Sequence, residues 1–145
     1  MEIREVLRGD LPGLLRLYEQ FDKGAAAEMG GPAENIWRGI LADKNHHVLA
    51  AFSGGRLVSS CVLVVVPNLT HGGRPYGLIE NVITDEDCRQ QGYATALLDY
   101  AAALAQSAGC YKLMLMTGSK KESTLRFYEK AGYNKTDKTA FIRWL

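Results

Sequence analysis

The chain has 145 residues, enough for one compact domain with a sizeable core and too few for a second. Its 17 lysines and arginines stand against 16 acids, a formal charge of +1, and no basic run or aromatic-interleaved patch suggests a nucleic-acid surface. Cys61, Cys88 and Cys110 form no CxxC pair, and their odd number argues against a disulfide framework and for a reducing, cytoplasmic setting; with His46, His47 and His71 they make no metal-ligand pattern.

Ile3 to Leu7 is predicted as a first strand, after which Asp10 is placed to cap a helix carrying Leu11, Leu14, Leu15 and Tyr18 on its inward face. The start lacks the charged-then-apolar design of a signal peptide, and no apolar run reaches the ~20 residues of a membrane span. Residues 22 to 32, rich in glycine and alanine, read as a connection bordering a substrate site, followed by a short helix with Ile36, Trp37, Ile40 and Leu41. Val48 to Phe52 and Arg56 to Val66 read as a hairpin around Ser53-Gly54-Gly55.

Tyr76 to Thr84 gives another strand, and a central helix is expected from about Tyr93 to Ala108, with Gly109 suited to its end. Then come a strand over Tyr111 to Thr117, a helix over Glu122 to Ala131 ended by Gly132, and a closing strand over Thr139 to Leu145. The order predicts a single α/β domain over residues 1–145, a mixed sheet with helices on both faces.

One stretch carries more than fold. Arg89-Gln90-Gln91-Gly92-Tyr93-Ala94 stands directly before the central helix, where unpaired amides and the positive end of the dipole attract phosphate. Gly92 lets a ligand approach closely, and Arg89 adds a charged fork. Read alone, Gly92 is equally a residue that permits a sharp strand-to-helix turn. Neither GxGxxG nor GxxxxGK[ST] is present.

The hexapeptide resembles the [QR]xxGx[GA] signature of the GNAT acetyltransferases, and Phe127-Tyr128-Glu129-Lys130-Ala131-Gly132-Tyr133 resembles that family's later FYEKxGF segment. The resemblance implies a mostly antiparallel GNAT-like sheet and acetyl-coenzyme A as donor. The backbone of Val82, Ile83 and Thr84 would bind the pantetheine arm, and the amides of Gln90, Gln91, Gly92, Tyr93, Ala94 and Thr95, with the Arg89 side chain, would bind the pyrophosphate. It also makes Tyr128 the general acid for the leaving thiolate; packing alone is the other reading of that residue.

Glu80 is the candidate base, through water. It is expected to alternate with Leu78 and Val82 on one strand face, partly buried, the alternative being a pair with a nearby arginine. Asn81 is the candidate acceptor contact. Lys121 stands where many relatives have a cofactor-contacting asparagine, leaving that contact to Ser119 or Ser123.

Gly77-Leu78-Ile79-Glu80-Asn81 and Gly109-Cys110-Tyr111-Lys112 are similar to the glucosamine-6-phosphate N-acetyltransferase branch, and Arg143 resembles that branch's sugar-phosphate arginine. Asn81 replaces the branch's aspartate, and residues 116–121 depart from its LDCDEKN stretch. The implied acceptor is therefore a small primary amine, with an amino-sugar phosphate as a candidate; a peptide N-terminus, or a non-catalytic acyl-coenzyme A-binding module, are the alternatives. The branch also implies a homodimer through the C-terminal strand, where Phe141, Ile142, Trp144 and Leu145 offer apolar cover.

Overall fold

The computed structural model describes residues 1–145 and arranges five strands in chain order within one sheet: β1 (Glu2–Glu5), β2 (His46–Ser53), β3 (Arg56–Val66), β4 (Tyr76–Thr84) and β5 (Leu113–Leu115). The first four are antiparallel to their neighbours, and β5 runs parallel to β4, giving the mixed, mostly antiparallel sheet expected. Four helices complete the chain: α1 (Leu11–Tyr18), α2 (Gly31–Ala42), α3 (Tyr93–Ser107) and α4 (Glu122–Lys130).

The two faces follow from the period of two along each strand. Leu49, Ala51, Cys61, Leu63 and Ile79 turn toward α3 and α4, where Leu97, Leu98 and Ala101 fill the core. Val48, Ala50, Phe52 and Val62 turn the other way, under Leu14 and Leu17 of α1 and Trp37 of α2. Between β2 and β3, Gly54 and Gly55 both hold positive φ, 54° and 78°, which a two-residue hairpin turn requires and which side-chain-bearing residues adopt only with strain.

Several expectations are corrected. Asp10 does not cap α1; its carboxylate accepts from the Leu7 amide at 2.6 Å and from Arg4 at 2.7 Å, because a guanidinium offers the stronger, charge-assisted partner. α2 begins at Gly31, inside the predicted connection, with Pro32 in its first turn, where a missing N–H is harmless. The strand expected over residues 111–117 is confined to Leu113–Leu115.

The largest departure is at the C-terminus. Residues 139–145 form no strand, and Phe141 and Trp144 are 91% and 84% exposed. Residues 139–145 pair with no strand of the sheet, and β5, the edge strand beyond β4, spans only three residues, a poor template for another strand within one copy.

Candidate active site

Pairing between β4 and β5 runs through Gly77–Leu113, Leu78–Met114 and Ile79–Leu115, then stops. From Glu80 to Thr84 the strand keeps β3 on one side and has no strand on the other. The split is accompanied by a bulge. β3 and β4 are in register at Val62–Glu80 and again at Ser60–Ile83, so Asn81 and Val82 together face the single residue Cys61. Asn81 takes φ +52°, an uncommon conformation for a residue with a side chain and one concentrated at functional sites.

The bulge reverses one sequence expectation. Glu80 and Val82 were expected on the same face, but the extra residue turns Val82 toward the α3 side while Ile83 packs with the α1 side. Glu80 is exposed rather than partly buried; it lines a cavity on the α1/α2 side and makes no ion pair with an arginine. Asn81 lines the same cavity.

Beyond the strand lies the turn. A short 3-10 turn at Glu86–Cys88 leads to Arg89, then Gln90 at φ +62° and Gly92 at φ +85°, both left-handed. The first internal bond of α3 runs from the Ala96 amide to the Gly92 carbonyl at 3.0 Å, so the amides from Arg89 through Thr95 donate to no group in the chain. Successive free amides around left-handed residues form an anion-binding concavity, here at the positive end of the longest helix. A Cβ added at Gly92 would meet no atom within 4 Å, so the space above the turn is open. Tyr93 contributes only its amide to that surface, because its ring is in the core. The Arg89 Nε donates to the Thr84 carbonyl at 3.3 Å, and Gln91 Nε2 donates to the Asp87 carbonyl at 3.3 Å. Ala94 is half-buried and Thr95 exposed.

Tyr128 approaches from the α4 side. Its ring packs with Phe127 and Tyr133 at centroid distances of 5.0 and 6.4 Å, on the face that carries Cys61 and Val82. Burial, reinforced by the neighbouring Cys61, pushes the Tyr128 phenol above its ordinary value and keeps its proton in place at neutral pH. Glu80 and Tyr128 thus flank the bulge from opposite faces of the sheet, with no hydrogen bond between them. Lys121 precedes α4 without a side-chain cap, and Ser119 is occupied: its hydroxyl bonds Thr124 at 3.1 Å and accepts from the Lys121 amide at 3.3 Å. Arg143 lies in the exposed tail and does not line the cavity.

Sequence reasoning missed three groups. Tyr18, expected only as core, sets its hydroxyl against the side chains of Ser60 and Asn81; burial raises its pKa and those two contacts oppose the rise. Tyr133 has a buried hydroxyl without a partner and a pKa pushed up to about 12, by burial first. The signal for it was a tyrosine where the family segment has phenylalanine.

The third is Asp85, 2% exposed at the junction between β4 and the turn. It receives Arg16 of α1 at 3.1 Å, Arg56 of β3 at 3.3 Å and the Asp87 amide at 3.2 Å. Nearby, Gln20 accepts from the Glu86 amide at 3.0 Å. Helix α1 therefore braces the start of the anion-binding turn.

Residues 11–133 match the sequence profile of the Acetyltransferase (GNAT) family. The chain belongs to that family. It is 38% identical over 136 residues to the glucosamine 6-phosphate N-acetyltransferase of Trypanosoma brucei brucei, covering 92% of this chain and 88% of the relative. A putative acetyltransferase from Agrobacterium tumefaciens str. C58 superposes with a TM-score of 0.92 at 35% identity, over 99% of this chain and 100% of the other. A Bacillus halodurans C-125 protein described as a transcriptional regulator does so with 0.88 at 27% identity over 99% of each. The GNAT chain is thus an acetyl-coenzyme A-dependent N-acetyltransferase, with no helix long and apolar enough to cross a membrane.

The Asp85 brace has a pH signature. Burial acts to raise its pKa, but the Arg16 hydrogen bond, the Asp87 amide and the two guanidinium charges together hold it below the ordinary aspartate value. A depressed carboxyl contributes stability that is complete above its unfolded value of about 3.9 and is lost as pH falls through the lower folded value. Asp85→Asn should cost about 1–3 kcal/mol at pH 7, because half-exposed Arg16 and Arg56 return to water rather than remaining buried and unpaired. In urea unfolding the gap between variant and wild type should close at pH values below the folded pKa; an undiminished gap there would remove the charge from the account.

Proposed function

We propose that the enzyme acetylates the primary amine of a small molecule at the split edge of β4. The observation carrying this reading is the unbroken run of free amides from Arg89 to Thr95, shortly after the end of β4 at Thr84. Gln90, Gln91, Gly92, Tyr93, Ala94 and Thr95 would hold the diphosphate of acetyl-coenzyme A through the main chain, and Arg89 would add a charge after leaving Thr84. Val82, Ile83 and Thr84 would engage the pantetheine amides along the edge that β5 leaves open. When bound, acetyl-coenzyme A supplies a thioester carbon open to attack by an uncharged amine.

Glu80, in contact with solvent and the cavity, takes a proton from the acceptor ammonium through water, and Asn81 positions the nitrogen. The amine nitrogen forms the amide bond as the thioester C–S bond breaks. Of the two protons the ammonium loses, one leaves to solvent by way of Glu80 and one is matched by the proton Tyr128 gives to the sulfur. The raised pKa keeps Tyr128 protonated at neutral pH, so the proton is present when the sulfur needs it.

An amino-sugar phosphate is the candidate acceptor raised by the Trypanosoma relative and by the Gly77 to Asn81 stretch. It would need a cation, and no lysine or arginine lines the cavity; Arg143, in the exposed tail, would supply one from a second copy. The unpacked tail supports such a homodimer, in which Phe141, Ile142, Trp144 and Leu145 would be covered. The free thiols of Cys61, Cys88 and Cys110 support a cytoplasmic setting, and residues 1–145 would act as one N-acetyltransferase domain.

Tyr128→Phe should lower kcat about 10²-fold while leaving the acetyl-coenzyme A Kd within about twofold, since it removes one proton donor and no binding group. Glu80→Gln should also lower kcat and flatten the acidic limb of its pH profile while the alkaline limb remains; an unchanged profile would exclude Glu80 as the base. Removal of residues 139–145 should convert a dimer into monomers in sedimentation velocity. A monomeric wild type, or a dimer that survives the deletion, would contradict the tail-mediated contact.

A further inference from the structure

The cavity flanked by Glu80 and Asn81 has a volume of about 300 Å³, at the lower end of the range for small-molecule sites, and lies between α1, α2 and the sheet. Its walls are Leu14 and Leu15 of α1, Ile36 and Trp37 of α2, and Val62 and Val64 of β3. The polar groups are few: Glu80 and Asn81 on β4, the Tyr18 hydroxyl that meets Asn81, and His46. No lysine or arginine lines it. Arg8 and Arg38 line a separate cavity, which shares only Leu11 and Trp37 with this one.

We infer that the acceptor is a primary amine carried on an apolar body, an arylalkylamine or alkylamine, with its nitrogen at the β4 bulge and its body between α1 and α2. The inference rests on the reading of β4 as the acetyl-transfer strand and narrows it to a substrate class. Charge decides the head group. Glu80 attracts an ammonium and repels a phosphate, and an anion pressed against these walls would lose hydration with no cation to replace it.

Apolar surface decides the remainder. A sugar ring would strand its hydroxyls against leucine, isoleucine and valine, whereas an aromatic or aliphatic body is transferred favourably from water. The indole of Trp37 is held in place by its Nε1–H donating to the Arg8 carbonyl at 3.0 Å, so one broad wall is already fixed before the ligand arrives. Ile36, on the exposed side of α2 at 60% exposure, is the wall residue a ligand would cover most directly.

The test uses the full chain with saturating acetyl-coenzyme A and follows thiol release with 2-phenylethylamine, hexylamine, glucosamine and glucosamine 6-phosphate. Binding of 2-phenylethylamine is followed separately by the NMR signal of the Trp37 indole. The kcat/KM for 2-phenylethylamine should exceed that for glucosamine 6-phosphate by at least about tenfold. Ile36→Ser and Ile36→Lys, both at an exposed position that folding tolerates, should raise its KM about threefold and tenfold or more, with acetyl-coenzyme A binding unchanged. Glucosamine 6-phosphate as the better substrate, or a KM insensitive to both Ile36 changes, would overturn the inference. If no amine releases thiol but 2-phenylethylamine still shifts Trp37 in a manner lost in Ile36→Lys, the apolar acceptor site stands and the acetyl-transfer reading falls. Absence of both signals sinks the apolar acceptor site as well.

Discussion

Backbone groups that have lost their partners set the design of this enzyme. A strand inside a sheet satisfies its amides and carbonyls on both sides, but β4 does so only as far as Ile79, after which its β5 edge is bare. The turn that follows leaves the amides of Arg89 to Thr95 equally bare. Two stretches are thus left open, the β4 edge beyond Ile79 and the turn from Arg89, separated by residues 85–88 whose amides are bonded within the chain; together they would suit an extended ligand with amides along one part and a diphosphate at its end.

The track is kept in place by charge and packing elsewhere. Asp85 ties the residue after β4 to Arg16 of α1 and Arg56 of β3, and Gln20, two residues beyond α1, holds Glu86, so α1 and the segment after it anchor the start of the turn. The same helix presents Leu11, Leu14, Leu15 and Tyr18 to the acceptor cavity. A single short helix therefore spans from the turn at Arg89 to the cavity proposed for the amine, and its displacement would disturb both. On the opposite face, Tyr128 is held among Phe127, Tyr133, Cys61 and Val82, where apolar surroundings preserve its proton.

Local chemistry made much of this legible in the chain itself. The Gly54-Gly55 turn, the Tyr76–Thr84 strand and the helix from Tyr93 are determined by nearby residues, and the structure places them as expected. The turn at Arg89 to Ala94 is similarly local, because amide exposure follows from a strand ending and a helix starting. What escaped detection depends on partners distant in sequence. Alternation put Val82 on the face of Glu80, but a bulge opposite Cys61 belongs to the pairing of two strands and leaves no mark on either alone. Nothing beside Asp85 in the chain marks it, because its partners Arg16 and Arg56 lie far from it in sequence. The expected strand over residues 139–145 failed for a related reason: its apolar pattern is present, but a strand also needs a partner, and β5 at the end of the sheet offers only three residues.

Amide hydrogen exchange of the full chain, with and without acetyl-coenzyme A, tests the central claim most directly. The account predicts slowed exchange concentrated in Gln90 to Thr95 and along the bare edge at Val82 to Thr84, with little change in β1 or β2. Tight binding of the coenzyme that leaves those amides exchanging freely, and protects a different segment, would contradict it.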